Sequence, residues 1–142
     1  MSLEFDEARA EHLSREVCEL MAEVARPTDW FRLELVYLTA GNAREINLFG
    51  VWSDGIRKID TTPPGIEVPL QELRRMMYSP GEGTWFLTRY YVEPDLTRTI
   101  IYDFDYDPKF NPEIDSMEWR RELDEFPRGP EFMPSWLEER VA

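Results

Sequence analysis

Apolar residues return every three or four positions near the start of the chain and every second position in several later stretches, so the period alone separates helices from strands. From Glu4 to Ala25, the residues Leu13, Val17, Leu20, Met21 and Val24 line one side of a helix, and Glu11, Arg15, Glu16, Glu19 and Glu23 line the other. Pro27 stops it, because the residue before a proline is pushed out of the helical region. In WFRLELVYL, Phe31, Leu33, Leu35 and Tyr37 alternate with Arg32, Glu34, Val36 and Leu38, which predicts a first strand. Gly41-Asn42 turns the chain into a second strand, REINLFGVW, and Ser53-Asp54-Gly55 turns it again into the short run Ile56 to Ile59.

The prolines of TTPPGIEVP break any ladder, and LQELRRMMY then sets Leu70, Leu73, Met76 and Met77 on one helical stripe. SPGEG, with two glycines free to take positive φ, ends that helix ahead of the strand formers TWFLTRYYV. Glu93-Pro94-Asp95 folds this strand into a hairpin with TRTIIYDFDYD. Past Pro108 the chain returns to helix around Met117, Trp119 and Leu123 and closes with FPRGPEFMPSWLEERV. A proline-punctuated aromatic tail is ordered by packing, so Phe126-Pro127-Arg128 and Pro134-Ser135-Trp136 are expected to fold back over the sheet. The expected class is α+β: a meandering antiparallel sheet of about five strands, an N-terminal amphipathic helix, a short middle helix and C-terminal helices packed mainly on one face. No repeat or linker divides residues 1–142, which read as a single domain.

Composition narrows the function. The 142 residues, 42% hydrophobic, suffice for one core. With 29 acids against 16 bases the formal charge is -13, a field that repels nucleic acid and anionic lipid and attracts basic proteins. A single cysteine, Cys18, excludes an intramolecular disulfide and a thiolate zinc cluster. The acidic start MSLEFDEARA lacks the features of a signal peptide, and no apolar run reaches the roughly 20 residues that span a bilayer, so a cytoplasmic location without membrane contact is expected.

Catalytic candidates are sparse. In the extended strand IIYDFDYDP, alternate side chains share a face, so Asp103, Asp105 and Asp107 line up with Ile101 in a row about 7 Å apart. Three readings stay open for that row: a solvated strand end, a protein-contact patch, or a carboxylate site for a metal enzyme. A calcium loop starting at Asp103 would need glycine and glutamate where Pro108 and Ile114 stand. The single histidine, His12, lies near the border of the first helix's apolar stripe and shares that helix with Cys18, which supports no nucleophile-base pair. The PGEG turn has no following Lys-Ser or Lys-Thr and leads into a strand, unlike a phosphate loop. No catalytic residue, cofactor or metal is assigned on these grounds, and the chain is read as a non-enzyme.

Three segments together carry a family resemblance: MMYSPGEGTWFLTRYYV (Met76 to Val92), DFDYD (Asp103 to Asp107) and WRRELDEFPRGPEFMPSWL (Trp119 to Leu137). Their order and spacing, over roughly residues 30 to 140, resemble the YezG-type immunity proteins of polymorphic toxin systems, in the version found in actinobacteria. The resemblance implies an antitoxin that binds and neutralises a cognate toxin, often a nuclease, with a basic cleft. On that implication Asp103, Asp105 and Asp107, with Asp54 and Glu82 from nearby turns, are the expected partner-binding acids. A self-associating regulatory subunit is the remaining alternative.

Overall fold

A computed structural model describes residues 5–142. Helix α1 (Glu7–Val24) starts at Asp6, whose carboxylate accepts the Arg9 N–H at 3.0 Å, so a backbone donor that the first turn leaves free is satisfied. Its buried stripe is Leu13, Val17, Cys18 and Met21. The expected start at Glu4 lies outside the described residues. Strands β1 (Arg32–Ala40), β2 (Ala43–Trp52) and β3 (Gly55–Ile59) follow, then helix α2 (Glu67–Met76), strands β4 (Leu87–Val92) and β5 (Arg98–Asp103), and helices α3 (Ser116–Glu125) and α4 (Ser135–Val141). A single 3₁₀ turn spans Pro130–Phe132. Phe31, expected inside the first strand, stays exposed, and the adjacent Trp30 enters the core instead.

All strand pairings within the sheet are antiparallel and the sheet order is β3-β2-β1-β4-β5, so β1 is central. The meander runs only through β3: the chain then crosses through α2 and comes back beside β1. Alternation along β1 assigns the layers. Leu33, Leu35 and Tyr37 point to one face, where Leu48, Tyr90 and Val92 join them against α1 and α2. Leu38 and Ala40 point to the other face and pack with Phe86, Trp119 and Leu137 of the C-terminal region.

The α+β class and the five antiparallel strands agree with the sequence pattern. The placement of the helices is corrected: α1 and α2 cover one face, α3 and α4 the upper part of the opposite face, rather than all gathering mainly on one. The cause lies in β1 and its continuation around β4, where Val36, Leu38, Phe86 and Leu87 make the second face apolar as well. Lower on that face Ile56 and Ile101 remain 59% and 45% exposed. Trp119 is the centre of the second core, meeting Phe86, Phe110 and Trp136 edge-on at ring separations of 5.2–5.8 Å. No described helix is long and apolar enough to cross a membrane.

Candidate functional site

The turn that ends α2 and the segment that follows α3 form one unit. Ser79 and Gly83 bridge, with Gly81 and Gly83 at φ of +80° and +88°, which lets the chain reverse within five residues. Gly129 donates its N–H to the Gly81 carbonyl at 2.6 Å and ties the C-terminal segment to this turn. The space beside Gly83 is filled by Arg128: a Cβ on Gly83 would stand 2.3 Å from the guanidinium Nε. Arg128, with a side chain only 1% exposed, donates to the carbonyls of Phe104 (2.7 Å), Thr84 (3.0 Å) and Phe132 (3.0 Å) and lies 4.6 Å over the Phe86 ring. Phe126 is buried beside Arg74 and Tyr78, and the Trp136 indole donates to the Asp105 carbonyl at 2.8 Å. The Phe126-Pro127-Arg128 and Pro134-Ser135-Trp136 segments therefore do fold back onto the body.

The five acids expected to act together separate into four settings. β5 ends at Asp103, so the row does not form. The Asp103 carboxylate accepts the N–H groups of Asp105 (3.1 Å) and Tyr106 (3.0 Å), and this local bonding bends the chain out of the ladder. Asp107 accepts the Lys109 N–H at 2.9 Å and pairs with Arg140 of α4 at 2.6 Å. Burial opposes its charge, but Arg140 and the Lys109 N–H outweigh that and hold the carboxyl below its usual range. Asp54 sits in the β2–β3 turn, 3.7 Å from Arg57, at the end of the sheet away from Asp103. Asp105 and Glu82 are brought together. Asp105 is 76% exposed and its nearest cation, Arg128, is 3.9 Å away, beyond hydrogen-bond reach. Glu82 is exposed and held in place by the Ser79 hydroxyl. Among the described residues, no three histidine, cysteine or acidic side chains converge as metal ligands.

Between these two acids lies a hollow of about 360 Å³ lined by Met77, Ser79, Glu82, Gly83, Phe104, Asp105 and Phe132. Its lining combines the apolar side chains of Met77, Phe104 and Phe132 with the acidic residues Glu82 and Asp105. No family model and no curated protein compared with the chain matches it.

A second hollow, about 510 Å³, opens between the β1–β2 turn and α2, lined by Asn42, Arg44, Glu67, Val68, Gln71 and Arg75. Its polar groups are largely engaged with one another: Tyr37 donates to Glu67 (3.1 Å), Gln71 to Tyr37 (2.7 Å), and Arg44 to Thr39 (2.8 Å) and two backbone carbonyls. Burial pushes the Tyr37 hydroxyl up to about 12, which leaves it a structural donor at neutral pH.

His12 is exposed on α1, and Cys18 is wholly buried with its thiol pushed up to about 11 by burial. These two side chains form no nucleophile-base pair. Met77, Phe104, Phe132 and Arg128 carry no signal along the chain that joins them to the acids; the repeated Asp-x-Asp spacing, which favours side-chain-to-backbone turns, is the one feature that points to the bend after Asp103.

Proposed function

We propose that the chain is an immunity protein, of the YezG type its motifs resemble, that binds a basic toxin domain in the cytoplasm and neutralises it by occupying its cleft. The observation that carries this reading is the pairing of Asp105 and Glu82, two exposed carboxylates beside an apolar hollow on a body of charge -13. A charge of that size speeds encounter with a cationic partner and discriminates against anionic ones. Rigid presentation adds to this. The Asp105 backbone is fixed by Asp103 at its N–H and by Trp136 at its carbonyl, so little loop freedom is lost on binding. No bond-making step belongs to the chain in this reading: inhibition is steric.

The test is protection. Where a neighbouring gene encodes a protein that ends in a small basic toxin domain, co-expression of this chain with that domain is expected to restore growth and yield a one-to-one complex. Growth arrest with no complex between the two purified proteins would end the proposal.

A further inference from the structure

We infer that the hollow between the Ser79–Gly83 turn and the end of β5 receives an arginine side chain of the partner protein; this deepens the reading of the chain as a binder of a basic toxin and rests on it. An arginine has two unlike parts, an aliphatic stem and a planar cation, and the hollow offers a matching surface for each. Met77, Phe104 and Phe132 supply an apolar floor on which the stem and the flat guanidinium lie. Glu82 and Asp105 supply acceptors at the rim.

Both acceptors have capacity to spare. Ser79 uses one oxygen of Glu82, and among the described residues no donor lies within hydrogen-bond distance of the Asp105 carboxylate. The lining itself carries two charges, Glu82 and Asp105, and the buried Arg128, 3.9 Å from Asp105, offsets only part of them, so the site keeps a net negative charge that favours a guest cation. Arg128 does not fill that role itself: its N–H groups are aimed at three backbone carbonyls beneath the turn. A neutral or acidic guest would leave the Asp105 carboxylate without a donor and Glu82 with that of Ser79 alone, and a lysine lacks the flat face that stacks on Phe104 and Phe132.

The experiment titrates the full chain with N-acetyl-arginine methylamide and follows backbone amide resonances. The citrulline analogue serves as a neutral probe of the same shape, and the lysine analogue as a second cation. Saturable shifts at Glu82, Gly83, Phe104 and Asp105 with the arginine probe, absent with citrulline and weakened about tenfold or more in the Glu82→Gln/Asp105→Asn protein, are expected. Equal binding of citrulline or lysine, or shifts scattered over the acidic surface that survive the double substitution, would overturn the inference. The same double substitution is then scored for cell protection. A wild-type chain that binds the probe but protects no cell sinks the immunity reading alone. Undiminished protection by the double variant, with no probe bound at the hollow, sinks the arginine socket alone.

Discussion

Arg74 of α2 and Glu122 of α3 form an ion pair in which each side chain is 1% exposed, and it joins the two helical layers around the upper end of the sheet. Arg74 also donates to the Trp85 carbonyl at 2.8 Å, stacks 4.9 Å from the Phe126 ring, and accepts the Thr84 hydroxyl on its own carbonyl at 2.7 Å. Glu122 accepts the Gly41 N–H at 3.1 Å, so the β1–β2 turn is held by the same pair. Removing one partner leaves a buried charge alone. Glu122→Ala is expected to lower unfolding free energy in urea by about 3–5 kcal/mol, and Arg74→Met/Glu122→Leu to lose less than either single change. Additive losses in the double variant would show the pair to be uncoupled.

Gly83 is tested by comparison with Gly81. Both have positive φ, but nothing lies within 4 Å of a Cβ built on Gly81, whereas on Gly83 it strikes Arg128. Gly81→Ala carries the conformational cost alone, about 1–2 kcal/mol. Gly83→Ala carries that plus displacement of Arg128 from its three carbonyls, and is expected to cost about 1–3 kcal/mol more. Equal thermal midpoints for the two variants would mean that Arg128 moves aside freely.

The Asp107–Arg140 pair gives an acid-side signature. The folded carboxyl titrates below its unfolded value of about 3.9, so the unfolded chain binds more protons in that window and stability rises with pH across it. The contribution is present above about pH 4 and is lost as pH falls through the folded value. Because the pair is partly solvated, Asp107→Asn is expected to cost about 0.5–1 kcal/mol at pH 7 and progressively less as pH falls below about 4. Thermal midpoints of the two proteins measured from pH 2 to pH 7 should converge at the acid end; a constant gap would place the effect elsewhere.

Association with a basic partner should slow as salt is added. Between about 0.01 and 0.15 M ionic strength the screening length falls from roughly 30 to 8 Å, and the on-rate is expected to fall by about tenfold or more. Stopped-flow mixing with the captured toxin domain checks this. A flat profile would leave the apolar floor, rather than charge, as the source of recognition.

Much of the fold was legible because each helix and strand carries its own period. Leu13, Val17 and Met21 place α1, and the alternation from Leu33 to Tyr37 places β1. The reading of β5 ran four residues too far, to Asp107, because strand propensity is a property of neighbours in sequence, while the break comes from the Asp103 side chain capturing two N–H groups ahead of it. The candidate site was legible in kind and not in membership. Charge and spacing single out the acids, yet whether an acid is free depends on what reaches it: Arg140 arrives from α4 to engage Asp107, and Asp54 is carried to the far end of the sheet.

What the sequence by itself determined was the local repertoire: two amphipathic helices ahead of the last hairpin, antiparallel strands joined by glycine and proline turns, and a strongly negative surface, all of which follow from side chains a few positions apart. The tertiary structure alone decided that β4 pairs with β1, that the C-terminal helices cover the second face, and that Asp105 and Glu82 line one hollow with Met77, Phe104 and Phe132. Those outcomes depend on contacts between segments distant along the chain, where burial of a shared apolar surface, rather than local conformational preference, sets which pieces come together.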